Sequence, residues 1–156
     1  SLHRWGIPPE RLELELTETA LMGNPKRALG VLRHLGETGV VLSIDDFGVG
    51  YTSLNQLKSL PIRVLKIDRS FVMNMSTNPA DAMIVRSTIE LGHNLGLQVV
   101  AEGIESQEIE DALRELGCDV GQGFQIGRPM PSAEFERWID AGGAPVAPMA
   151  RGHAAA

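Results

Sequence analysis

Short runs of aliphatic and β-branched residues alternate along this chain with longer amphipathic stretches, and the alternation occurs five times. The runs are RLELELTE (11–18), VVLSIDDF (40–47), RVLKID (63–68), LQVVAEG (97–103) and DVGQGF (119–124). Period-two patterning within them predicts strands. Leu12, Leu14 and Leu16 oppose Glu13 and Glu15, Leu65 and Ile67 oppose Lys66 and Asp68, and Val99 and Ala101 oppose Val100 and Glu102. Helical spacing after each run predicts helices near 25–37, 52–59, 79–95, 106–116 and 132–140. Asn24-Pro25, Asn78-Pro79 and Pro131-Ser132 open three of them, and Gly39, Gly96 and Gly117 close three. A serial βα repeat means parallel strands, because each crossover returns the chain to the same end of the sheet. An α/β fold follows, wound as a barrel or as an open sheet. Residues 141–156, AGGAPVAPMARGHAAA, carry no periodicity and are expected to be a disordered tail or linker after a domain spanning 1–140.

Composition narrows the class of ligand. With 14 Lys and Arg against 20 Asp and Glu the formal charge is −6, which leaves no broad basic face for a phosphate backbone. Aromatic residues make up 4%, too few for a run of base-stacking platforms, so a nucleic acid polymer is not an expected partner. A phosphorylated ligand would therefore need a cation or backbone amides to offset its charge. The 43% hydrophobic and 22% charged content is that of a globular domain. The lone Cys118 excludes an internal disulfide and a thiolate cluster and fits a reducing cytosol. No apolar run approaches the roughly 18 residues of a membrane span, and the first residues show no charged-then-apolar leader. The expected location is cytoplasmic, either free or as the cytosolic domain of a membrane-anchored parent.

The charged residues fall at one end of the strands. Glu15 and Glu18, Asp45 and Asp46, Lys66 and Asp68, and Glu102 and Glu105 close four consecutive runs, so parallel strands would gather them on one rim. If the leucine side packs under the helices, the charged side points into a barrel near its mouth, where barrel enzymes carry their chemistry. Any one of these residues has an ordinary structural reading: Glu13 as partner of a floor cation, the Asp pair as a helix cap, Lys66 as a counter-ion, Gln122 as a backbone binder. Their recurrence is what points to oxygen-liganded cations such as Mg²⁺ or Mn²⁺. Asp45 and Asp46 could each hold one ion of a pair about 3.5–4 Å apart. In the following Phe47-Gly48-Val49-Gly50-Tyr51, Gly48 and Gly50 permit positive φ or close backbone approach. Phe47, Tyr51 and Phe124 are candidates for ligand stacking, with core packing the competing reading. His3, His34, His93 and His153 show no ligand spacing and are expected at the surface, and Met73-Asn74-Met75 reads as loop or core.

Taken together, ELTE (15–18), DDFGVGYTSL (45–54), LKID (65–68), AEGIE (101–105), GQGF (121–124) and RPMP (128–131) resemble the EAL-domain cyclic di-GMP phosphodiesterases. The resemblance runs through nearly all of residues 1–140. It implies a TIM-like (β/α) barrel, present here as about five βα units, that linearises cyclic di-GMP to pGpG with two Mg²⁺ or Mn²⁺ ions. By position it implies Glu15 on the first metal, Asp45 shared between the metals, Asp46 on the second, and Lys66 touching the attacking water. Glu102 resembles the acid assigned to general base or second-metal duty. Glu18 resembles the residue propping the DDFG loop (Phe47, Gly48 and Gly50), while Asp68, Glu105 and Gln122 match supporting, metal-side and substrate-side positions. The string Glu-Ala-Leu that names the family, and the Asn of the strand after it, do not occur. The chain is therefore expected to be the C-terminal part of an EAL domain, inactive without the missing strands. A homodimer and upstream sensory or cyclase domains are the implied partners. The alternative is a non-catalytic cyclic di-GMP receptor or dimerising module of the same fold.

Overall fold

A computed structural model describes residues 2–18, 25–50 and 53–143. Asn24, Tyr51, Thr52, the tail from residue 144 with His153, and the side chain of His3 lie outside the described residues. Five strands, β1 (Glu13–Thr17), β2 (Val41–Phe47), β3 (Val64–Ile67), β4 (Gln98–Glu102) and β5 (Val120–Gln122), pair in parallel and lie side by side in chain order. A doubly wound open sheet reverses its strand order at a switch point, whereas a β/α barrel keeps adding strands in one direction. The monotonic order is the barrel's winding.

Register and burial show why. Leu14 pairs with Leu42, Leu16 with Ile44, Ile44 with Leu65, Leu65 with Val99 and Ile67 with Ala101, so these positions form one continuous apolar face. Two core clusters cover it. Leu42, Ile44 and Leu65 pack with Leu32 of α1 (Pro25–Glu37) and Leu57 of α2 (Leu54–Ser59). Ile67, Val99 and Ala101 pack with Val72 of α3 (Arg69–Asn74), Val85 and Ile89 of α4 (Pro79–Asn94) and Leu113 of α5 (Gln107–Glu115). Each fully buried Leu or Ile contributes about 1.5–3 kcal/mol, so this face fixes the helices on one side and leaves the charged face to line the interior. The last helix, α6 (Ser132–Asp140), buries no residue fully.

Local signals placed most helix starts. Ser53 forms a reciprocal capping box with Gln56, Asn78 accepts from the Ala80 amide ahead of Pro79, and Ser106 accepts from the Ile109 amide. The chain turns through positive φ at Gly39, Gly96 and Gly117 after α1, α4 and α5. One helix was not expected. Asp68 caps α3 by accepting from the Ser70 amide at 2.9 Å, and Met75, just past this helix, is buried in the core. No helix among the described residues is long and apolar enough to cross a membrane.

Candidate metal centre

Strand alternation would send the adjacent Asp45 and Asp46 to opposite faces of the sheet, and β2 avoids this with a bulge. Ile44 pairs with Leu65 and Phe47 with Ile67, so two residues of β2 stand opposite the single Lys66. Asp46 occupies the left-handed region at φ 55, unlike every other non-glycine residue described. Aspartate tolerates that conformation better than most side chains, but it still costs of order 1 kcal/mol or more. The result is that Asp45, Asp46 and Glu102 each offer a carboxylate oxygen within 4.8 Å of the others.

Lys66 stands in the middle. Its Nζ lies 2.5 Å from Glu15 Oε1, 2.6 Å from Glu102 Oε1 and 3.3 Å from Asp45 Oδ1, and the side chain is 7% exposed. Burial by itself would lower the ammonium's pKa. The hydrogen bonds to Glu102 and Glu15, with the charges of Glu102 and Asp45, outweigh it and hold the pKa above its ordinary value. Asp45 Oδ1 is close enough for Coulomb attraction but not aligned for a hydrogen bond, and it is a buried oxygen with no hydrogen-bond donor among the described residues. An orphaned buried carboxylate oxygen beside two further carboxylates is the donor set of a hard divalent cation. The residues present therefore fit such an ion, with Asp45, Asp46 and Glu102 as the group able to hold it.

The neighbours tune this rim. Asp46 has its pKa raised, first by burial, then by the charge of Asp45, then by the hydrogen bond and charge of Asp68. For Asp68 burial pulls upward, but bonds from the Ser70 hydroxyl and amide, the contact with Asp46 and the charge of Arg69 bring the pKa below the usual value. Asp68 thus both caps α3 and backs Asp46. Glu18 is buried and its Oε2 accepts from the Gly50 amide at 2.7 Å. A Cβ on Gly50 would come within 2.6 Å of that same oxygen, and one on Gly48 (φ 104) within 2.9 Å of Phe71. Both glycines of the loop are therefore needed for close approach.

Not all expected residues join the cluster. Glu13 and Glu105 are exposed and make no ion pair among the described residues. Gln122 is exposed at the end of β5, where its backbone oxygen accepts from the Ile104 amide. Phe47 packs on the core around Leu42 and Leu57 rather than standing free for a ligand. Phe124 is 53% exposed, and the Arg128 guanidinium lies 4.6 Å from its ring centre. His34 is at the surface as expected, but His93 is not an ordinary surface residue. Its Nε2 lies 3.0 Å from Oδ2 of buried Asp119, which also accepts from the Val99 amide at 2.8 Å. The only sequence signal was an Asp next to Cys118 at a strand start, which is uninformative without knowing what packs there.

Comparison with known proteins identifies the family and the fold. The profile of the EAL domain matches residues 1–129. Over 89% of its length the chain is 45% identical to the signaling protein YkoW of Bacillus subtilis. Over 86% it is 44% identical to MucR of Pseudomonas aeruginosa, named a bifunctional diguanylate cyclase/cyclic di-GMP phosphodiesterase. The chain spans 17% and 20% of those two proteins. Among solved structures, the MucR phosphodiesterase in complex with c-di-GMP superposes with a TM-score of 0.82 at 44% identity, covering 86% of this chain and 54% of that one. A manganese/cy-diGMP complex of Klebsiella pneumoniae BlrP1 gives 0.76 at 34% identity, covering 82% and 33%. The chain belongs to the EAL-domain family, and its five βα units are part of a TIM-like barrel.

Proposed function

We propose that this chain carries the cation- and phosphate-facing part of a phosphodiesterase that hydrolyses cyclic di-GMP to pGpG with two Mg²⁺ or Mn²⁺ ions. The observation that carries the reading is the β2 bulge, which places Asp45 and Asp46 together beside Glu102 and leaves Asp45 Oδ1 without a donor. When bound, the ions would neutralise phosphoryl oxygens and lower the pKa of water toward neutrality. The roles of the side chains follow from charge and reach. Asp45, Asp46, Glu102 and Glu15 would hold the ions. Lys66, kept protonated by its carboxylates, donates hydrogen bonds and does not act as a base. Glu102, whose Oε1 Lys66 already orients, is the acid assigned to proton removal or to the second ion. Glu18 fixes the loop backbone at Gly50, while by the family resemblance Glu105 would serve on the metal side and Gln122 on the substrate side.

The family resemblance assigns the first ion the Glu of a Glu-Ala-Leu string and the Asn of the strand after it, and these 156 residues contain no such string. Turnover by residues 1–156 alone is therefore expected to be weak or nil. We also propose a cytoplasmic location and regulation by sensory or cyclase domains in the same gene product, in keeping with relatives several times longer than this chain. Pairing with a second copy is supported by the apolar hollow of about 730 Å³ between Phe47-Gly48 and α4, with Met83 68% exposed beside it. Met83→Glu should shift the sedimentation profile to monomer. The central test is Mn²⁺-dependent conversion of cyclic di-GMP to pGpG by the complete gene product and by its Glu102→Ala variant. Turnover lost in the variant supports the reading. Tight binding of cyclic di-GMP with no turnover in the unmodified protein would favour the receptor alternative.

A further inference from the structure

We propose that Lys66 is the site's own placeholder cation: its ammonium neutralises the rim carboxylates in the metal-free chain, and a divalent ion binds in competition with it. The inference rests on the cation-binding reading above and goes beyond it by assigning Lys66 a part in setting metal affinity. Two of the three carboxylates that Lys66 touches, Asp45 and Glu102, also belong to the trio able to hold an ion. Two of the same carboxylates thus serve both cations. Lys66 is pinned on β3 between the buried Leu65 and Ile67, so its charge stays at the rim and repels a second positive charge nearby.

The charge balance explains why a placeholder is needed. Glu15, Asp45, Asp46 and Glu102 bring four carboxylates to one opening, and Lys66 is the cation within reach of three of them. Leaving such a cluster without a counter-charge is costly, because each carboxylate disfavours ionisation of the next. The pairing is also graded. The bonds to Glu15 and Glu102 are short, whereas Asp45 Oδ1 at 3.3 Å is misaligned, and Asp46 makes no ion pair with Lys66. Asp45 and Asp46 are therefore the open side of the cluster for an arriving ion, while Glu15, outside the trio, remains within bonding distance of the ammonium.

The experiment is calorimetric titration of MnCl₂ into the full chain and into Lys66→Met, with the melting temperature of each followed with and without Mn²⁺. Removing the competing charge should tighten Mn²⁺ binding about tenfold or more. It should also lower the metal-free melting temperature by about 10 °C and enlarge the rise produced by Mn²⁺. Equal or weaker binding in Lys66→Met, with binding retained in the unmodified chain, overturns the placeholder role alone. Binding by neither protein overturns both this role and the metal reading. Should Lys66→Met fail to fold, the unmodified chain gives a second readout. The Lys66 ammonium resonance, assigned by its loss in Lys66→Arg, should be visible in heteronuclear NMR without metal and should shift as MgCl₂ saturates the site. A resonance unmoved at saturation overturns the proposal.

Discussion

Two charged clusters, each built around one buried group, lie at opposite ends of the sheet, and they are built differently. At the start of β4 and β5, Asp119 accepts from the Val99 amide and pairs with His93, so its carboxylate is satisfied by the fold itself. At the C-terminal rim, several carboxylates share Lys66, Asp45 keeps a buried oxygen without a donor among the described residues, and Asp46 is held in a strained backbone conformation. A satisfied buried charge is structural. A cluster left short of positive charge, in a conformation that costs energy, is arranged for something the chain does not itself supply.

Substitutions at the two ends should separate these roles. In the complete gene product, Glu102→Ala should reduce turnover of cyclic di-GMP at least 100-fold, read as pGpG formation at saturating Mn²⁺, while the melting temperature moves by only a few degrees. A variant retaining most of its activity would place the essential acid elsewhere. Asp119→Ala should do the reverse. It strands the Val99 amide and removes the partner of His93, so urea unfolding should show a loss of about 2–3 kcal/mol with Mn²⁺ affinity unchanged. If instead Mn²⁺ affinity dropped with stability intact, the contrast between the two ends would be wrong.

A smaller effect should come from Cys118, beside Asp119. Burial, with a lesser push from the charge of Asp119, raises its thiol to about 11 from 9.0, against the opposing effect of bonds to the backbone. A raised folded-state pKa means stability that is complete below pH 9 and is lost as pH climbs toward 11, because the unfolded chain ionises first. Between pH 8 and pH 10 the unmodified chain should lose about 1 kcal/mol more than Cys118→Ala. Parallel pH profiles would show that Cys118 does not ionise as its buried position requires.

What could be read from the sequence divides along the same line. The alternation of Leu14, Leu16, Leu65, Ile67, Val99 and Ala101 follows from period two, so the strands, their apolar face and the gathering of Glu15, Asp45, Lys66 and Glu102 at one end were legible. The helix start at Asn78-Pro79 was legible from local capping chemistry, and the helices near 52–59 and 106–116 from helical spacing, whereas their Ser53 and Ser106 caps were not read. The bulge was not. It depends on how β2 registers against β3, a long-range relation that no spacing within β2 encodes, and only the oddity of two adjacent acids hinted at it. Asp68 could be read as a strand-end acid but not as the cap of α3, since a six-residue helix carries too short a pattern to detect. The pairing of His93 with Asp119 joins residues 26 apart and had no local signature.

The most direct test of the account is a side-by-side Mn²⁺ titration of Asp45→Asn and Asp119→Asn. The account predicts that Asp45→Asn weakens saturable Mn²⁺ binding at least tenfold while Asp119→Asn leaves it at the unmodified value. Equal Mn²⁺ affinity in the two variants would contradict it.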